Sequence, residues 1–151
     1  MLKPLTKEQT DRILSIAAEE FADRGFAGTA IGSIAKKAGV SVGVIYKYYA
    51  GKEALFNACI SKSLDSMEEV LDMTGNDGGS LMDMIENLIR RMQTFAKENP
   101  EYIRLYHQIT VSGSPAGKTQ SAELIESGTA KIYGEFIKRA AESGEIRDDI
   151  D

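Results

Sequence analysis

Apolar residues recur at every third or fourth position along most of the chain, the spacing of helices that bury one face. The first such segment begins at Thr6, and Gln9, three residues later, completes a capping box. The segment is expected to end at Arg24, because Gly25 can adopt the left-handed conformation that closes a helix. Its buried stripe is predicted to contain Ile13, Leu14, Ala17, Ala18 and Phe21.

A second, short helix is predicted immediately after this one. Thr29 is a suitable N-cap, and Gly39 can supply positive φ after the last turn. Ile34 and Ala35 are expected to face inward, and the small Ala35 side chain allows a neighbouring helix to approach closely. The pattern therefore predicts a helix over residues 30–38.

Residues 42–49 (VGVIYKYY) are harder to assign, because β-branched and aromatic side chains together with a glycine favour a strand. We predict a helix there for two reasons. The chain offers no partner strand, and Ile45 and Tyr49 lie one helical turn apart, so that both can be buried. Ser41 precedes the run and is a suitable N-cap.

Four longer helices are predicted to follow, which makes the fold class all-α. They are residues 52–72, a helix capped by Ser80 with Asp83, a helix opened by Asn99-Pro100, and residues 119–143 with Gly144 as the end. Residues 74–79 and 112–118 are predicted loops. The chain then divides into a three-helix head, residues 1–50, and a helical body, residues 51–151.

Composition is that of a soluble globular protein, with 151 residues, 42% of them hydrophobic and 27% charged. The net charge of −5 hides an asymmetry: residues 1–62 hold nine basic and six acidic side chains, and the remainder hold nine and seventeen. The basic part is therefore the part that is better suited to a polyanionic partner. Cys59 is the only cysteine, which excludes an internal disulfide, and no apolar run is long enough for a membrane span.

The helix-glycine-helix pattern of residues 30–49 fits a helix-turn-helix. The residues left outward on its second helix are Val42, Gly43, Val44, Tyr46, Lys47 and Tyr48. In a DNA major groove, Gly43 would let the backbone approach, the two valines would touch thymine methyl groups, and Tyr46 would reach a base edge or a phosphate. Lys47, Tyr48 and Lys52 would hold the DNA backbone. The alternative is plain helix packing, since glycine-linked helix pairs are common in proteins that do not bind DNA.

Residues 12–56 resemble the TetR family of transcriptional regulators. The likeness lies in Ile13-Leu14, Ala17, Phe21, Gly25-Phe26, Thr29, Ile34-Ala35, Ala38-Gly39-Val40-Ser41, Gly43, Ile45-Tyr46, Tyr48-Tyr49, Lys52-Glu53 and Leu55. The resemblance implies a DNA-binding head followed by a helical effector-binding and dimerisation domain. The DNA-binding set that we predict is Thr29, Ser41, Val42, Gly43, Val44, Tyr46, Lys47, Tyr48 and Lys52.

Two positions depart from the family pattern, and the body has a further peculiarity. Tyr49 stands where the family usually has a buried phenylalanine, so its hydroxyl needs a partner or an exit to solvent. Ala50-Gly51 replaces a more polar linker. Family members usually continue with two more helices that pair across a twofold axis. We therefore expect the chain to be C-terminally incomplete, because seven helices would leave an apolar face uncovered. The alternative is that the protein dimerises differently.

An effector pocket between the helices of the body is also expected. Its candidate lining is Met67, Met84, Met92, Phe95, Tyr102, Tyr106, His107, Tyr133 and Phe136. The alternative for each of these is plain core packing, which methionine and aromatic stripes at helical spacing usually indicate.

The leading hypothesis is a ligand-responsive, cytoplasmic repressor that binds a palindromic operator as a homodimer. An enzyme is disfavoured, because the chain has one histidine and one cysteine and lacks metal-binding, nucleophile and phosphate-loop motifs. No metal or cofactor is expected. The remaining alternative is a helical ligand-binding or adaptor protein that does not bind DNA.

Overall fold

The computed structural model describes residues 4–74, 80–112, 120–142 and Gly144, and within these ranges the chain is helical without strands. The helices are α1 (Lys7–Gly28), α2 (Ile31–Ala38), α3 (Val42–Tyr48), α4 (Lys52–Thr74), α5 (Leu81–Glu98), α6 (Pro100–Ser112) and α7 (Gln120–Glu142). The all-α prediction is confirmed. The predicted loops, apart from their first residues, and the tail after Gly144 lie outside the described residues.

Helix α1 begins as its capping box predicts. The Thr6 hydroxyl accepts a hydrogen bond from the Gln9 backbone N–H at 3.2 Å, and the Gln9 side chain accepts one from the Thr6 N–H at 3.0 Å. Gly25 has a φ of 69°, as expected, and its non-helical backbone closes the regular part of α1 after Arg24. A short helical stretch follows as far as Gly28, and the Phe26 ring stacks on Phe21 with centroids 5.9 Å apart.

Helices α2 and α3 form the predicted pair around a glycine turn. Gly39 is left-handed, with a φ of 72°, and the Val40 N–H closes the turn on the Ala35 carbonyl at 3.0 Å. The helical prediction for residues 42–49 is confirmed except at its end. Tyr49 has an extended backbone and ends α3, although its side chain still packs against the core.

The predicted N-cap of α2 is wrong. The cap position is occupied by Ala30, which makes no side-chain capping hydrogen bond. The Thr29 side chain is buried and turns back toward α1, where its hydroxyl lies 2.9 Å from the Glu20 carbonyl oxygen and 2.8 Å from that of Gly25. The Thr29 side chain is therefore directed at the end of α1, and it does not accept a hydrogen bond from the first N–H groups of α2.

One hydrophobic core joins the head to the body. It includes Phe21, Ile34 and Ile45 from the head and Phe56 and Tyr102 from the body, and all five are buried. Helix α6 packs along α1, while α4 packs against α1, α5, α6 and α7. The division that we predict at residue 50 therefore does not coincide with a gap in the core.

Apolar side chains remain exposed on the body. Met82 and Ile89 lie two turns apart on α5, and Tyr133 and Ile137 lie one turn apart on α7. Over the described stretches of chain, the helices are too short or too polar to cross a bilayer.

Candidate DNA-binding surface

Helix α3 is held by one side and presents the other to solvent. Ile45 is its anchor and has no exposed surface, whereas 53% of Tyr46 is exposed. Val42 and Tyr48 are exposed as well. The seven-residue helix therefore points a row of large apolar and aromatic side chains outward, as the sequence predicts.

The start of α3 is fixed by its cap. The Ser41 hydroxyl accepts a hydrogen bond from the Val44 backbone N–H at 3.2 Å, and the Ser41 carbonyl accepts the same N–H at 3.0 Å. The capping role of Ser41 is confirmed. Val44 itself is half-buried, so it is less outward than the spacing predicts.

Gly43 has no packing reason to be a glycine. A methyl group at this position would meet only the Ser41 hydroxyl oxygen, at an ordinary contact distance of 3.8 Å. A glycine inside a helix costs about 1 kcal/mol relative to alanine. The absence of a side chain thus destabilises α3 locally while leaving its outer face open to close approach, which is what a DNA backbone or base edge requires.

The far end of α3 is tied to the segment before α1. The Tyr48 hydroxyl accepts a hydrogen bond from the Leu5 backbone N–H at 2.8 Å. The Lys47 ammonium lies 5.5 Å from the centre of the Tyr48 ring. Tyr48 thus joins two parts of the chain that lie 43 residues apart. The sequence pattern predicts that Tyr48 is exposed, but it does not predict this hydrogen bond.

Lys52, the predicted phosphate anchor, is held by the protein in this structure. Its ammonium donates to the carbonyl of Thr29 at 3.0 Å and to that of Ala27 at 3.5 Å. It also lies 4.7 Å from the centre of the Phe26 ring. Lys52 therefore ties the start of α4 to the junction between α1 and α2, and Thr29 supports that junction from the inside and presents no side chain to solvent.

An ionic cluster that the sequence analysis missed holds α2 against α1. Glu20, only 2% exposed, accepts a hydrogen bond from Ser33 at 2.9 Å and pairs with Lys37 at 2.7 Å and with Arg24 at 3.4 Å. The hydrogen bond from Lys37 is the main cause that lowers the pKa of Glu20. The available signal was a charged residue three positions after Ala17, on the apolar stripe of α1.

Within the described part of the chain, the predicted effector-pocket residues do not all line one cavity. Phe95 and Tyr102 are buried and line a cleft between α1, α4, α5 and α6. Tyr106 lines a separate space of about 10 Å³, which holds no more than one water molecule. Met67 packs on the core, Met84 and Met92 are half-buried, and His107 and Tyr133 are exposed. The side chain of Phe136 lies outside the described residues.

Other reactive groups in the described part of the chain are few. Cys59 is buried, its thiol donates to the Leu14 carbonyl at 3.5 Å, and burial raises its pKa. A thiol in this state is a weak nucleophile. Three or more metal-ligating side chains do not come together anywhere in that part.

Comparison with known proteins gives one consistent family. Residues 13–59 match the model of bacterial regulatory proteins of the tetR family. The chain is 33% identical over 128 residues to the HTH-type transcriptional regulator RutR of Escherichia coli, covering 81% of this chain and 59% of that protein. It is 29% identical over 139 residues to the HTH-type transcriptional repressor SCO4008 of Streptomyces coelicolor, covering 92% of this chain and 68% of that protein.

Solved structures agree with this result. A TetR family transcription regulator from Marinobacter aquaeolei VT8 is 25% identical and has a TM-score of 0.65, with 91% of this chain and 65% of that chain covered. The present chain thus spans only part of the length of the proteins that it matches.

Proposed function

Because this chain belongs to the TetR family of bacterial regulatory proteins, we propose that it is a sequence-specific DNA-binding transcriptional regulator, a ligand-responsive repressor. The observation that carries the proposal is the outer face of α3. An exposed glycine without a packing role lies there beside exposed valine, tyrosine and lysine side chains, on a helix fixed by a buried isoleucine.

Each residue on this face has a distinct task in the proposal. Val42 and Tyr46 contact base edges in the major groove, and Gly43 lets the backbone come close. The half-buried Val44 contacts the DNA only with the exposed part of its side chain. Lys47 binds a phosphate, which adds affinity without sequence preference. Ser41 and Tyr48 keep α3 in position, since each makes a hydrogen bond within the protein.

Lys52 has a double task in the proposal. Its ammonium has three donors and uses two of them on the carbonyls of Ala27 and Thr29. The third is free to meet a phosphate at the start of α4. Thr29 contributes by fixing those carbonyls and not by contacting DNA with its side chain.

We further propose that the regulator acts as a homodimer in the cytoplasm, where it meets its operator. Two copies of α3 would then read half-sites about one helical turn, roughly 34–36 Å, apart. The exposed apolar residues of α5 and α7 support this proposal, because exposed apolar surface on the body is suited to contact a second protein chain. An effector that favours a different spacing between the two heads would release the DNA.

The test is a binding-site selection with random duplexes at a stated salt concentration, followed by binding measurements with variants. A palindromic site is expected. Tyr46→Ala should change the preferred bases, whereas Lys47→Ala should weaken binding to all sites similarly and reduce the salt slope by about 0.9 for each protomer bound.

Lys36→Ala, an exposed lysine on α2, is the matched control for loss of one charge outside α3. If the selection returns no preferred sequence, the alternative of a ligand-binding or adaptor protein without DNA binding is favoured. Equal effects of Tyr46→Ala and Lys47→Ala on all sites would contradict the division of tasks on α3.

A further inference from the structure

A cleft of about 500 Å³ lies where α1 meets α4, α5 and α6, and it shares no residue with α2 or α3. Its floor includes the buried rings of Phe95 and Tyr102. The volume is in the range of small-molecule sites, and an apolar floor is typical of them.

The rim of this cleft is acidic. The four carboxylates are Asp11, Glu69, Glu98 and Glu101, and Lys62 is the one cation among the lining residues. Lys62 pairs with Asp11 at 3.3 Å, and Ser15 donates to Glu101 at 2.7 Å. The other two carboxylates are exposed and have neither a salt bridge nor a side-chain hydrogen bond in the described chain. The rim thus carries uncompensated negative charge.

Tyr102 brings an unused polar group to the same cleft. Only 4% of the residue is exposed, yet its hydroxyl makes no hydrogen bond to any residue that the structure describes. Fully enclosed side-chain oxygen and nitrogen atoms in that part of the chain all have partners, so this hydroxyl is not sealed in. Burial is the main cause that raises the pKa of Tyr102, and Cys59, Glu101 and Asp11 raise it further.

We propose that this cleft binds a small organic cation, an ammonium group on a compact hydrocarbon body. The hydrocarbon packs against Phe95 and the ring of Tyr102. The ammonium donates to the Tyr102 hydroxyl and to the carboxylates of Glu98 and Glu101. An anion is disfavoured by the charge of the rim.

The position of the cleft gives its occupant a route to the DNA-binding surface. Asp11 and Ser15 belong to α1, the helix that carries the head, whereas Glu101 belongs to α6. A cation at Glu101 binds the carboxylate that also accepts the hydrogen bond from Ser15, and so acts on the contact between α1 and α6. The effect on DNA affinity rests on the proposed function, but the binding of the cation does not.

The groove next to the cleft orients the ligand. Beyond Phe95 and Glu98, the space continues between α4 and α5 past Arg90 and Arg91. The guanidinium of Arg90 repels an ammonium group there. The cationic end therefore points toward α1, and a longer body extends toward the arginines.

The test is calorimetric titration of the full chain with phenethylamine, with 2-phenylethanol as the uncharged analogue at the same ionic strength. We expect the amine to bind at least about ten-fold more tightly than the alcohol, because a charge-assisted contact is lost in the alcohol. Glu98→Gln and Tyr102→Phe should each weaken amine binding several-fold. Glu86→Gln, an exposed carboxylate on α5 outside the cleft, should leave it unchanged.

Two outcomes would overturn the inference: no heat of binding up to millimolar amine, or equal affinity for amine and alcohol in all variants. Circular dichroism verifies that Tyr102→Phe is folded. Because Glu98 is exposed, Glu98→Gln tests the cleft without disturbing the core. A gel shift with the selected operator, with and without phenethylamine, separates the two proposals. A specific DNA complex without amine binding overturns only the cleft, whereas amine binding without any specific DNA complex overturns only the regulator.

Discussion

Single residues in the head either lie on the candidate DNA-binding surface or hold α1, α2 and α4 together behind it. Gly43 and Tyr46 face outward, while Glu20, Thr29 and Lys52 are occupied with contacts inside the protein. Local signals predicted the first group, because exposure and helix caps depend on neighbours in the chain. The second group depends mostly on partners beyond one helical turn, up to 25 residues away, and the spacing of residue types does not report which of them meet.

Gly43→Ala should have opposite effects on stability and on DNA binding. The free energy of unfolding should rise by up to about 1 kcal/mol, since alanine favours the helix and meets no close neighbour. DNA affinity should fall, because the new methyl group holds the helix away from the groove. Denaturant unfolding and a DNA titration measure the two effects. Gly134→Ala on α7, also in open space, should raise stability without weakening DNA binding; a loss of affinity there too would contradict the assignment.

The Glu20 cluster makes the head sensitive to acid. The folded-state pKa of Glu20 lies below its usual value of 4.5, so its carboxylate stabilises the fold above that pH. This contribution is lost as the pH falls from about 4.5 through the lower folded-state pKa. Glu20→Gln should cost about 1 to 3 kcal/mol at neutral pH and flatten the acid limb of the stability curve. Thermal unfolding from pH 7 to 3 tests this, with Glu86→Gln as the exposed control; parallel curves for both variants would refute it.

At the scale of helices, the order and most boundaries of the elements could be predicted from local chemistry. The capping boxes at Thr6 and Ser80 and the positive φ at Gly39 depend only on residues within one turn. The strand-like run of α3 was assigned correctly because tertiary burial of Ile45 outweighs β propensity. Which side chains line a cleft in the body could not be predicted, because this depends on how helices far apart in sequence are rotated against each other.

The turn between α2 and α3 provides a test at this scale. Gly39→Ala should lower the free energy of unfolding by about 1 to 2 kcal/mol, because its φ of 72° is unfavourable for an L side chain. No atom lies close enough for a clash, so the cost is conformational. Gly32→Ala in α2, also in open space, should instead be neutral or stabilising. Urea unfolding of both variants measures the difference. If Gly32→Ala lowers the free energy of unfolding as much as Gly39→Ala does, the positive φ of Gly39 is not the cause of the loss.

For the whole molecule, the important feature is the continuous core from α3 to α6. Phe56 of α4 contacts both Phe21 and Phe26 of α1 edge-to-face, at centroid distances of 4.9 Å and 5.3 Å. Arg104 of α6 also pairs with Asp23 of α1 at 2.7 Å. The head is therefore part of one packed unit. We do not expect residues 1–50 to fold independently of the body, although the two parts have different proposed functions.

Phe56→Ala should accordingly destabilise head and body together. A loss of about 3 to 5 kcal/mol is expected for a buried aromatic ring. Far-ultraviolet circular dichroism and tyrosine fluorescence should report one coincident unfolding transition for the original chain and for the variant. Exposed Ile89→Ala on α5 is the control with little change. Two separated transitions in the original chain would contradict a shared core.

The hydrogen bond between the Leu5 N–H and the Tyr48 hydroxyl has a practical consequence for handling the protein. It holds Leu5 beside the helix that we expect to enter the groove. An acidic tag joined to this end is attached within a few residues of that contact, and its charge would repel the nucleic acid. Purification handles should be cleaved from this end before any operator is measured.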